Sequence, residues 1–231
     1  MKEKSRLIVV VIYSSAMAWV ESAAVVYLRT LIGRLQPYQP NPLSLSVGSG
    51  LAQVEAIREA ATLTMLLAVG WLAGHNWRTR LAYTMVAFGT WDVLYYVFLA
   101  IIGPWPGSIW DWDILFLLPL PWWGPVLAPV LISVLLILSG ILISQYDSSD
   151  NPMWPRVWAQ VVCLAGMVLA LYVFMSDSIR ALNHGLRVEA LGEILPAQFN
   201  WPLFLLAFVM MAVPVIDLGS QVWRSTHAVH Q

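Results

Sequence analysis

Glu55, Arg58 and Glu59 fall at i, i+3 and i+4 of a stretch that is otherwise apolar. On a helix that spacing sets two carboxylates and a guanidinium on one face, and Thr62 continues the face one turn further. Glu21 and Asp92 interrupt two other apolar runs. Asp92 is followed by Tyr95 and Tyr96 at i+3 and i+4, where a phenol can donate to a carboxylate. A charge near the centre of a bilayer costs ~2.5–3.5 kcal/mol on insertion scales, so such residues face a protein interior or a wet cavity. Glu21, Glu55, Arg58, Glu59 and Asp92 carry four negative charges and one positive, and adding Arg29 still leaves an excess of two. A low-dielectric site does not hold that excess bare. Either acids are protonated, or a cation binds, or other basic groups reach in. Protonated acids suit a proton relay or a general acid. A hard cation suits carboxylate oxygens. The plainest role is an ion-pair network that locks three helices together.

Other chemistries find little support. His75, His184, His227 and His230 sit in predicted loops or the tail, so no histidine lies mid-membrane for a haem or a Glu-x-x-His di-iron site. The spacing of His227 and His230 is explained as well by a C-terminal tail as by metal binding. Cys163, the single cysteine, excludes an internal disulfide and a Cys-rich metal site, and its apolar setting reads as packing. No GxSxG elbow, HExxH pair or Walker loop occurs. No metal site is expected, no cofactor is indicated, and whether the chain is an enzyme stays open.

The elements that must position these side chains are membrane helices. Of 231 residues, 59% are hydrophobic and 11% charged, against roughly 25% charged in soluble domains; mean hydropathy is +0.71. Net charge is −1, with no basic surface for nucleic acid. A bilayer core needs about 20 apolar residues per helix, which predicts six spans near 7–31, 51–74, 80–102, 120–144, 157–177 and 201–223. The expected fold is all-α, a polytopic six-helix membrane bundle forming a single domain over 1–231. Prolines 37, 40 and 42 break the chain after the first span, 103–107 (GPWPG) stops the third, and 147–152 (DSSDNP) is a polar turn. The charged start followed by an apolar run resembles a secretory signal. The run continues past Trp19 for a full spanning length, which predicts a retained first helix.

Six spans put Lys2, Lys4, Arg6, Arg78, Arg80, Arg156 and Arg224 on one side and Arg29, Arg34, Arg180 and Arg187 on the other, seven against four. The excess predicts both termini in the cytoplasm. Glu21, Glu55, Arg58 and Glu59 then lie in the outer half, Asp92 near the middle and Tyr95 and Tyr96 slightly above it.

Residues 103–125 hold Trp105, Trp110, Trp112, Trp122 and Trp123 with Asp111 and Asp113. One reading is an aromatic belt at headgroup level. Another is a lid or re-entrant segment over the outer site, because 114–118 is too apolar for a solvated loop and too short to span. Asp113 would then complete the site from above. A third is a docking surface for a partner. Gly140 and Gly166 mark close helix approaches in spans without charge. Asp217 reads as a helix cap or inter-helix hydrogen bond, with an inner proton exit as the sharper alternative. Residues 182–191 are expected to form an amphipathic surface helix.

These readings converge on a multi-pass protein of the cell (plasma or inner) membrane, with the lipid bilayer as its partner. Its pocket, open toward the outer face, would bind a small polar, cationic or amphiphilic ligand, with proton coupling as an option. Glu21, Glu55, Arg58, Glu59 and Asp92 would form it, joined by Tyr95, Tyr96 and Asp113. Two other classes remain: an accessory subunit scaffolding other membrane subunits, and a membrane enzyme using a glutamate or aspartate as acid or base.

Overall fold

The computed structural model describes residues 3–31, 33, 36–37, 50–116, 120–185 and 198–228. Six helices dominate: α1 (Glu3–Leu31), α2 (Gly50–Ala73), α3 (Trp77–Ile102), α4 (Leu127–Tyr146), α5 (Val157–Asn183) and α6 (Trp201–Ala228). All six are long and apolar enough to cross a membrane. Their outward faces carry Ile12, Val20, Leu72, Ile101, Val161, Leu164, Val209 and Ile216 exposed. So much contiguous apolar surface is unfavourable in water and suited to lipid, which fits a multi-pass membrane protein.

The all-α expectation needs one correction. Between α3 and α4 lies a two-stranded antiparallel hairpin, β1 (Trp112–Phe116) and β2 (Trp122–Pro125), pairing Trp112 with Pro125, Asp113 with Gly124 and Ile114 with Trp123. The fourth helix therefore begins at Leu127 and not near 120. Prolines 121 and 125 cannot donate to a helical ladder, and the pairing with β1 holds these residues extended. The apolar run of 120–144 continues through Pro121-Trp-Trp-Gly-Pro125, so hydropathy alone merged strand and helix. Elsewhere the expected spans hold with shifted ends: α1 starts at Glu3, α3 at Trp77, and α5 and α6 continue to Asn183 and Ala228. The start of the expected 182–191 helix belongs to α5. Residues 186–191, with Arg187 and Glu189, lie outside the described residues, as do Lys2, Arg34, Glu193, His230 and the side chain of His227.

Among the apolar clusters of the described residues, two larger ones organise the bundle. One joins α1, α2 and α3 through Val10, Ala18, Leu66, Tyr83, Val86, Ala87 and Trp91. The other joins α4, α5 and α6 through Ala128, Ala170, Val173, Phe174, Phe204, Ala207 and Met211. The α3–α4 contact links them and is close because of glycine. A Cβ on Gly140 would lie 2.5 Å from the Ala82 carbonyl oxygen, and one on Gly89 2.6 Å from that of Ser133. Gly166 of α5 does the same against Ala207 of α6, at 2.8 Å. Small residues let backbones approach where helix association relies on van der Waals packing.

The ends are tied by polar side chains. At the end opposite the hairpin, Asn76 caps α3 in a reciprocal box with Thr79. Asp147, whose side chain is fully buried, accepts from Asn76 Nδ2 at 2.7 Å, Arg78 Nε at 2.6 Å and the Met153 amide at 2.9 Å. Asp217 of α6 accepts the Arg156 amide at the start of α5 and Gln221 Nε2, both at 2.9 Å. It is thus an inter-helix cap for a helix whose own N-cap residue offers no side-chain cap bond.

Candidate functional site

The face of α2 that carries Glu55, Arg58, Glu59 and Thr62 turns toward α1 and α3. Arg58 reads both neighbours. Its Nε donates to Glu55 Oε2 at 2.8 Å within α2, and its Nη1 donates to Glu21 Oε1 of α1. The second oxygen of Glu21 accepts from Thr62 Oγ1 at 3.1 Å. Glu21 is buried and both its oxygens are satisfied. One guanidinium thus joins α1 to α2, two helices that otherwise touch little because both lean on α3. The i, i+3 spacing made the Glu55–Arg58 pair legible; the Glu21 pair depends on how α1 and α2 pack.

Asp92 differs from the expectation. Neither phenol one turn along engages it. Its partner is Ser133 of α4, whose Oγ donates to Asp92 Oδ2 at 2.8 Å, across the contact that Gly89 makes close. Tyr96 turns instead to Asp113, donating to Oδ2 at 3.1 Å. Tyr95 lays its ring on Trp91, with centroids 5.9 Å apart, and its carbonyl accepts from Ser22 of α1.

Asp113 stands on β1, one residue into the hairpin, and is buried. Its other oxygen meets Arg29 Nη2 from the end of α1 at 3.4 Å, and that guanidinium lies 4.5 Å over the ring of Trp105. Burial raises the Asp113 carboxyl above its ordinary value, although Arg29 and the Tyr96 hydrogen bond pull the other way. Gly124, opposite Asp113 in the hairpin, lets Phe174 of α5 pack close: an added Cβ would lie 2.8 Å from that ring. Trp122 stacks on Phe174 at 6.5 Å with planes 6° apart. The tryptophan-rich segment is therefore partly internal. Trp105 and Trp123 are buried, while Trp110 is exposed.

These pieces border a partly open cavity of about 320 Å³ lined by Glu21, Glu55, Arg58, Glu59, Asp92, Tyr95, Tyr96 and Asp113, together with Arg29, Thr62, Trp91, Trp122, Ser133 and Phe174. All eight residues singled out from sequence thus share one space, drawn from α1, α2, α3 and β1. Ser133, Trp91 and Phe174 are among the lining residues that sequence reading missed. They are apolar, aromatic or hydroxyl groups in ordinary packing positions, and no spacing signal marks them.

The charges divide into two sets. Glu21 and Glu55 pair with Arg58, and Asp113 pairs with Arg29. Glu59 makes no hydrogen bond or ion pair among the described residues, and Asp92 has only the Ser133 hydroxyl. Five carboxylates face two guanidiniums, so the lining carries three more acids than bases. The buried indole Nε1 of Trp91 also lacks an acceptor among the described residues. Among those residues, no three His, Cys, Asp or Glu groups are placed to hold a metal ion. No family model, no curated protein and no solved structure matches the chain.

Proposed function

We propose that this chain is a multi-pass membrane protein whose cavity at the hairpin end receives a small polar, cationic or amphiphilic ligand. The observation that carries the reading is the coexistence in one partly open cavity of paired and unpaired acids. A purely structural lock satisfies its charges, because an unpaired buried charge is costly. Glu21, Glu55 and Arg58 behave as such a lock; Glu59 and Asp92 do not. At about 320 Å³ the cavity lies at the lower end of small-molecule pockets, about 300–1,000 Å³, and its wall of aromatic rings with a few polar groups is the usual make-up of such sites.

A thermal-shift screen of the purified chain against neutral, cationic, zwitterionic and amphiphilic compounds tests this reading. A ligand present at 100 times its Kd stabilises by about 2.7 kcal/mol, a clear rise in Tm. Combined replacement Glu59→Gln and Asp92→Asn should leave a folded bundle that no longer shows the rise. Undiminished stabilisation of that variant would remove the cavity as the site.

In a bilayer, the hairpin end faces outward and both termini face the cytoplasm. The support is the seven-to-four excess of Lys and Arg at the opposite end. The orientation also places the Arg29–Asp113 pair near the outer boundary. Single cysteines introduced at the exposed loop positions Trp110 and Ser149, with Cys163 replaced by alanine, should label with a membrane-impermeant maleimide at 110 and not at 149 in intact cells. The reverse pattern would invert the topology.

A further inference from the structure

We infer that the ligand of this cavity is an organic monocation, an ammonium group on an apolar body, whose charge lies against Asp92 and whose body lies against the aromatic rings; this rests on the ligand-pocket reading above. The two guanidiniums of the lining are already engaged by three carboxylates, so an anionic guest would meet Glu59 and Asp92 without a free counter-charge. A cationic guest meets the opposite situation. Asp92 keeps one carboxylate oxygen engaged by Ser133 and has no cationic partner among the described residues, while Glu59, from α2, adds negative field from a second wall.

The aromatic lining points the same way. Trp91 stacks on Tyr95 along α3, and Trp122 stacks on Phe174 where the hairpin meets α5. Ring faces are negative, and a cation over them gains ~0.5–2 kcal/mol, most when desolvated. A hard inorganic ion would gain less. It requires about six to eight oxygen ligands, and no triad of acids among the described residues is placed to supply even half of them. A proton alone would neutralise an acid, but it uses neither the volume nor the rings.

Three probes sharing a phenoxy body separate the possibilities: choline phenyl ether, its uncharged carbon isostere 3,3-dimethylbutyl phenyl ether, and phenoxyacetate. Binding is measured by calorimetry on the full chain in maltoside micelles, with each probe's partition into empty micelles subtracted. The ammonium is expected to bind at least tenfold more tightly than either analogue. Asp92→Asn should weaken it more than tenfold, Glu59→Gln three- to tenfold, and Asp92→Glu least, all three variants eluting as the parent does. Equal or tighter binding of the isostere or of phenoxyacetate would overturn the cation assignment and leave the pocket reading standing. Ammonium affinity unchanged by Asp92→Asn would overturn it too. Failure of all three probes on the folded parent rejects the cation, and if the broader compound screen is also silent, the pocket reading falls with it.

Discussion

Replacing Arg58 by methionine is expected to destabilise the bundle by about 3–5 kcal/mol, the cost of removing one partner from a buried ion pair. The residue is the only cation in direct contact with Glu21 or Glu55 among the described residues. Its loss leaves Glu21, 7% exposed at the side chain, held by Thr62 alone. The penalty comes from stranded carboxylates and not from lost packing, because methionine keeps most of the apolar stem. Adding Glu21→Gln and Glu55→Gln to Arg58→Met should therefore return most of the stability, and a cycle between the single and combined variants measures the coupling. Reversible unfolding of α-helical content in mixed micelles reads it out. If the triple variant is no more stable than Arg58→Met, the stranded-charge account is wrong and Arg58 contributes through its contacts.

The second large effect is expected at the opposite end. Asp147→Ala removes an acceptor that serves Asn76, Arg78 and the Met153 amide at once. The donors left behind include a guanidinium that is only 19% exposed. A loss of about 3–5 kcal/mol follows from the same asymmetry between making a buried pair and breaking one. Asp147 also sets a pH dependence. Burial alone would raise its carboxyl, but the hydrogen bonds from Arg78, Asn76 and Met153 outweigh it and hold the group below its ordinary value of 3.8. A depressed folded pKa means that the unfolded chain takes up the proton first as pH falls. The contribution is complete well above 3.8 and is lost as pH drops through the folded value. Acid titration of stability should show this loss in the parent and a flatter profile for Asp147→Asn over the same window. Identical profiles would mean that other carboxylates control acid unfolding.

The cavity gives the two sets of acids different sensitivities. Glu21 and Glu55 act on stability through Arg58. Glu59 and Asp92 lie outside all three ion pairs, so their neutral isosteres should cost little stability, and on the proposed reading their effect falls on ligand binding. The hairpin completes the arrangement. It carries Asp113 between Tyr96 of α3 and Arg29 of α1, and through Trp122 and Phe174 it attaches the cavity wall to the α4–α6 core. The tryptophan–proline segment, read from sequence as an aromatic belt, a lid or re-entrant segment, or a docking surface, takes the form of a strand pair over residues 112–116 and 122–125.

Six helices were legible in the chain because an apolar run long enough to cross a bilayer can be seen without knowing what it packs against. The candidate pocket was legible for a related reason. A charge inside such a run is expensive anywhere except an interior, so Glu21, Glu55, Arg58, Glu59 and Asp92 announced themselves by type and position. Even the Glu55–Arg58 pair was readable, since helical periodicity places i and i+3 on one face. Partners across helices were not. Whether Asp92 bonds to Tyr96 or Ser133 depends on the rotation of α3 against α4, which Gly89 and Gly140 permit to be close. Whether Arg58 reaches Glu21 depends on how α1 and α2 lean on α3. The hairpin was hidden for a different reason: strand pairing between 112–116 and 122–125 is a non-local choice, and in a run of apolar residues hydropathy has the same value for strand and helix. Residue type alone thus selected the acids, and tertiary packing decided which of them are neutralised. That partition leaves Asp92 and Glu59 without an ionic partner among the described residues.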